Sequence, residues 1–171
     1  GDAGDAVAAA VAAFPAAAAA DEARRRDGDE PAPDEEPSSV EWKARGAEHF
    51  KARRFAEARD AYGEALDAEM ASDYAGGKAL ASVLYANRSA CQLKLGDNDA
   101  ALVDASRSIQ MDRSNRKAHF RKGEAFFALA RYGDALDSYQ HAQRLADAAG
   151  EPPDRTLEQR LAECDGRMPK E

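Results

Sequence analysis

The chain is short of the residues that build small cross-linked or catalytic folds. Only Cys91 and Cys164 occur in 171 residues, which excludes a disulfide framework and suits a reducing compartment. The same two cysteines stand too far apart to seed a zinc site, and His141 offers no partner at ligand spacing. No run reaches the roughly eighteen apolar residues of a membrane span. Strand signals are absent throughout. No nucleophile, base and orienting group stand in a catalytic arrangement. Gly76-Gly77-Lys78 is not a phosphate loop, because Ser72 replaces the earlier glycine and no Ser or Thr follows Lys78. An excess of basic charge is also missing. The formal net charge is −8, whereas general nucleic-acid binding needs a basic surface.

The acidity is unevenly placed. Residues 1–38 hold ten acids against three arginines, and the remainder is nearly neutral at −1. Val7 to Ala20 is almost all alanine, with Phe14-Pro15 in its middle, and Asp27 to Pro37 is acidic and rich in proline. Alanine favours helix but buries little area, so the composition predicts a disordered arm over 1–37. A transit peptide fits less well, since such segments are poor in acids. From the start at Gly1 in place of a methionine, the expectation is a piece of a longer protein or a trimmed one.

What is present is a repeat. Gly46, Ser89 and Gly123 each lie 12 residues before an alanine, at Ala58, Ala101 and Ala135. Beyond each alanine the spacing continues alike, as Ala58-Tyr62-Ala65, Ala101-Ala105-Ser108 and Ala135-Tyr139-Ala142. Ser89 to Gly123 is 34 residues, while Gly46 to Ser89 is 43, so the first unit carries nine extra residues. A period of about 34 belongs to paired-helix repeats. A small residue in the first helix lets the second approach closely, and the alanine marks the crossing. Each pair leaves an apolar face open, so neighbours must stack to cover it.

The helices follow from caps and periodicity. Ser38-x-x-Glu41 forms a capping box, and Trp42, Gly46, His49 and Phe50 make the apolar side of the first helix. The second is predicted over about 55–70, running on by a further turn before a loop at Gly76-Gly77. The others fall at about 78–95, 98–111, 115–130 and 132–149, with Gly96 as a natural stop. A last helix, about 154–167, carries Leu157, Leu161 and Cys164 on one face and caps the stack. The repeats fall at about 39–81, 82–115 and 116–149, within one domain over 38–167. His49 and His119 stand where the repeat wants bulky packing, and Arg88 and Lys122 read as surface or packing charges.

These positions resemble the tetratricopeptide repeat family. The resemblance implies an all-α fold, a right-handed superhelical stack of three helix-turn-helix repeats with a C-terminal capping helix. His119 departs from the usual aromatic, and Met70, Arg113 and Asp147 from a common terminal proline. Within the family the chain is similar to domains that grip the carboxyl-terminal Glu-Glu-Val-Asp tail of heat-shock chaperones with a carboxylate clamp of five residues. Lys43 matches the clamp's first lysine, and Asn87 its central asparagine, in Asn87-Arg88-Ser89-Ala90. Lys117 and Arg121 match the last pair, and Ala47 stands where the family has another asparagine. The resemblance therefore implies a co-chaperone or adaptor, with a chaperone of the seventy- or ninety-kilodalton class as partner.

Elementary chemistry fits that reading. Lys117 and Arg121 are four apart and share a helix face, and Asn87 offers both donor and acceptor. Each charge-assisted hydrogen bond to a peptide carboxylate contributes about 1.5–3 kcal/mol. Ordering the tail offsets much of this, which leaves roughly micromolar affinity. By the same register Phe50, Leu93, Lys94 and Phe127 face the groove and would contact residues upstream of the terminus. The expectation is a monomeric cytoplasmic module without catalytic residues, metal or cofactor, binding neither nucleic acid nor membrane. Two alternatives stand beside it: a scaffold that packs on a folded partner without a working clamp, and the repeat part of a larger enzyme such as an immunophilin-type isomerase.

Overall fold

A computed structural model of the chain describes residues 36–169. The arm expected over 1–37 lies, but for its last two residues, outside the described residues. Among these there are seven α-helices and no strand: α1 (Ser39–Lys51), α2 (Phe55–Ala71), α3 (Gly77–Leu95), α4 (Asn98–Met111), α5 (Arg116–Ala128), α6 (Tyr132–Ala148) and α7 (Arg155–Arg167). Helices pair as α1 with α2, α3 with α4 and α5 with α6. Each pair packs on the next, and α7 lies on α6.

The starts are chemically determined. Ser38 and Glu41 form the capping box, with the Ser38 backbone N–H donating to the Glu41 carboxylate at 2.8 Å. Asp97, Asn115 and Asp154 accept from the first N–H groups of α4, α5 and α7. The turn inside each pair also repeats. Arg53, Gly96 and Ala130 stand seven residues after Gly46, Ser89 and Gly123, and all take left-handed backbone angles, φ 60°, 81° and 58°. Each is followed by an N–H that reaches back to the helix, Arg54 to the His49 carbonyl, Asp97 to Gln92 and Arg131 to Phe126. This is the hydrogen-bond pattern that ends a helix on a left-handed residue.

The crossings explain the small residues. A Cβ at Gly46 would sit 2.7 Å from the Tyr62 ring, and one at Gly123 would sit 2.6 Å from the Tyr139 ring. The aromatic therefore lies directly on the glycine in the first and third pairs. In the second pair Ala105 replaces the aromatic, and a serine fits, its hydroxyl donating to the Ala101 carbonyl at 2.8 Å. Ala58, Ala101 and Ala135 are wholly buried, as are Leu66, Leu84, Tyr139 and Leu157. A buried polar knot ties the middle of the stack. Ser82 and Ser108 each donate to the other's carbonyl, and the Asn115 amide donates to the Ser82 hydroxyl at 2.9 Å.

The enlarged first repeat departs from expectation. α2 does not run on by a further turn; it stops at Ala71, and α3 begins at Gly77. Asp73 and Tyr74 turn left-handed there. The reason is Glu69, which is buried and receives the Gly76 N–H at 3.0 Å and the Ser39 hydroxyl. That carboxylate closes a five-residue turn, and α3 takes up residues as additional helix, reaching 19 residues.

Candidate peptide-binding groove

Two recesses open on the first helices of the pairs. The first, about 280 Å³, is lined by Asn87 and Ala86 from α3, Lys117, Phe120 and Arg121 from α5, and the start of α7. The second, about 420 Å³, is lined by Phe50, Leu93, Lys94 and Phe127, with Asn98, Glu124 and Arg160. Arg121 belongs to both, so it joins them into one groove. Seven of the nine expected positions thus gather there. Lys43 and Ala47 are half-buried on α1 and line neither recess.

The electrostatics of the first recess are those of an incomplete site. Lys117 and Arg121 have no salt-bridge partner among the described residues. Burial pushes the Arg121 guanidinium below its ordinary range, against the nearby Glu124. A partly desolvated cation without a salt-bridge partner favours an incoming anion. Asn87 approaches Tyr62, whose phenol burial raises to about 12 while the Asn87 amide lowers it. Because Tyr62 rests on Gly46, Asn87 is positioned through the crossing of the first pair.

Several residues of the groove escape a reading by motif. Arg116 lies beside Lys117 but is held by Glu151 at 2.9 Å and Asp154 at 3.2 Å. Asp154 caps α7 by accepting from the Thr156 and Leu157 N–H groups at 3.0 and 3.3 Å. Burial raises the Asp154 carboxyl, but bonds from the Leu157 and Thr156 N–H groups and Arg116 outweigh it and hold the group below its usual range. In the second recess, Glu124 accepts from the Tyr139 hydroxyl at 2.5 Å and pairs with Arg160 at 2.8 Å. The Arg160 guanidinium also lies 5.0 Å from the Phe127 ring centre. Apart from the Tyr139–Glu124 bond between α6 and α5, these partners are joined by the packing of α7 and its leading turn, and their separation in sequence hides them. The helix start at Asp154 was the only signal available.

The remaining polar residues pack. Arg88 grips the buried Asp104 with two hydrogen bonds of 2.6 and 2.9 Å. His119 is buried, its Nε2–H donating to the Arg113 carbonyl at 3.0 Å, and stacks on His141 at 4.2 Å. Burial pushes both thiols up, that of Cys91 to about 12. Among the described residues no three His, Cys, Asp or Glu side chains gather as a metal site, and no helix is long and apolar enough to cross a membrane.

Three helix pairs with a glycine or serine at each crossing, a capping helix and a groove on the first helices define a tetratricopeptide-repeat domain. No family model matches the chain. It is 32% identical over 106 residues to the Hsp70/Hsp90 co-chaperone CNS1 of Saccharomyces cerevisiae, a match covering 62% of this chain and 26% of the yeast protein. It is 36% identical over 118 residues to unc-45 homolog B of Xenopus tropicalis, covering 69% of this chain and 12% of the frog protein. The chain therefore spans about a quarter of one relative and an eighth of the other. Among solved structures, the first TPR domain of Spaghetti (RPAP3) bound to the HSP90 peptide SRMEEVD superposes with a TM-score of 0.64 at 26% identity, covering 75% of this chain and 90% of that domain.

Proposed function

We propose that the groove binds the acidic carboxyl-terminal tail of heat-shock chaperones of the seventy- or ninety-kilodalton class, and that the protein acts as a cytoplasmic co-chaperone or adaptor. The observation that carries this reading is the first recess. It brings Asn87, Lys117 and Arg121 together around one opening, with both cations lacking an ion-pair partner among the described residues. A peptide terminus supplies two carboxylates, the chain end and the last aspartate, and those three side chains supply the matching donors. The likeness to a domain solved with an HSP90 tail peptide supports the same ligand. Phe50, Leu93, Lys94 and Phe127 form the adjoining recess for upstream residues, and Lys43, on α1 outside both recesses, would contribute only by extending towards the bound terminus. We read the chain as a binding module and not as an enzyme.

The test is a titration of a fluorescent peptide ending in Glu-Glu-Val-Asp, as the free acid and as the carboxyl-terminal amide. The free acid should bind at roughly micromolar strength and the amide at least tenfold more weakly. Asn87→Ala, Lys117→Ala or Arg121→Ala should each remove most binding while helical circular dichroism is kept. Equal binding of acid and amide would end the carboxylate reading and favour a scaffold role.

A further inference from the structure

The start of α7 intrudes on the cationic recess with a negative charge. Asp154 lines that recess together with Lys117 and Arg121. One of its carboxylate oxygens accepts from the backbone N–H groups of Thr156 and Leu157, and the other accepts from Arg116. Neither task needs a full charge at this position. Asparagine and serine cap helices about as well as aspartate. Arg116 already has a carboxylate in Glu151, at 2.9 Å. Two carboxylates thus answer one guanidinium, and a negative charge is left over on the wall of the recess that Lys117 and Arg121 also line. Its double anchoring fixes the Asp154 carboxylate in place, so it does not swing away when another anion arrives.

We propose that Asp154 is an affinity- and specificity-determining residue of the groove, a built-in counter-anion that weakens the hold of the first recess on acidic peptide termini. This rests on the reading of the groove as a site for such termini. The consequence is opposite in sign to that of a structural role. If Asp154 merely steadied Arg116 and α7, neutralising it would loosen the recess and weaken binding. As a counter-anion, its neutralisation strengthens binding. A unit charge on the wall of a half-exposed recess, at an effective dielectric between those of a surface pair and bulk water, amounts to about a three- to tenfold change at low salt.

The experiment uses the full 171-residue chain with Asp154→Asn and, separately, Asp154→Ser, both of which keep a capping side chain. The probe is a fluorescent peptide ending in Met-Glu-Glu-Val-Asp as the free acid, titrated at low salt and at several higher salt concentrations. Both variants should bind about three- to tenfold more tightly than the parent at low salt. The advantage should shrink towards unity as salt screens the pair. Thermal unfolding of both variants confirms that α7 is still seated. Equal or weaker binding by both folded variants, with the parent binding, overturns the inference and leaves the groove reading standing. If neither parent nor variants bind the peptide, the groove reading falls and the inference falls with it.

Discussion

Ala47 follows Gly46, on which the Tyr62 ring is packed. It is half-buried one turn after Lys43 and, like Lys43, stops short of both recesses. An alanine has no donor to send further. Residues a turn apart on a helix share a face, so a longer polar side chain at 47 would point where Lys43 points. Ala47→Asn should add about one hydrogen bond to a charged acceptor, worth about 1–2 kcal/mol after ordering. Peptide dissociation constants should fall by roughly five- to thirtyfold. The folding cost is small, about 0.5–0.7 kcal/mol of helix propensity. No gain in a folded variant would mean that the peptide terminus does not lie beneath α1. At this scale the legible residues were those set by one helix. Lys117 and Arg121 are four apart on α5, and both line the first recess with Asn87. Arg116 and Asp154 were not legible, because their ion pair spans 38 residues of sequence and exists only once α7 has docked.

At the scale of elements, the left-handed turn inside each pair sets how the two helices meet. The second repeat uses Gly96, while the first and third use Arg53 and Ala130 at the same register. A side chain in that conformation costs roughly 1–2 kcal/mol. Ala130 is exposed and its N–H already donates to the Phe127 carbonyl at 3.0 Å, so removing its Cβ disturbs no packing. Ala130→Gly should therefore stabilise the domain by about 0.5–1 kcal/mol, the relief of strain less the added freedom of the unfolded chain. Urea unfolding reads this as a higher midpoint at unchanged slope, and a lower midpoint would show that the turn is held by other contacts. The helix ends were legible wherever a cap or glycine stood in the sequence, as at Ser38, Gly96 and Asp154. The end of α2 was not. Its stop depends on the buried Glu69 gathering Gly76 and Ser39 from outside the helix, and no local pattern announces that.

Across the whole molecule, each helix pair is stable only by covering its neighbour, so the last pair needs α7. Leu157 and Cys164 are wholly buried against Phe126, Ala135, Tyr139 and Ala142. That contact also carries the groove. Asp154 stands three residues before Leu157, and Arg160, which pairs with Glu124 in the second recess, stands three after it. Seating one leucine therefore positions both ends of the groove wall. Leu157→Ala removes a buried side chain where two helices already fill the surroundings, and should cost about 2–5 kcal/mol. For a domain of this size the melting temperature should fall by roughly ten degrees. Peptide affinity should fall as well, since the wall loosens with the helix. Deleting residues 1–37 should do neither, because an alanine-rich and acidic arm supplies little apolar surface for the stack to bury. Paired thermal melts and peptide titrations on the two variants separate the contributions. If the arm deletion lowers the melting temperature as much as Leu157→Ala does, the arm covers part of the stack. If Leu157→Ala leaves binding intact after unfolding losses are allowed for, the groove is built by the three pairs alone.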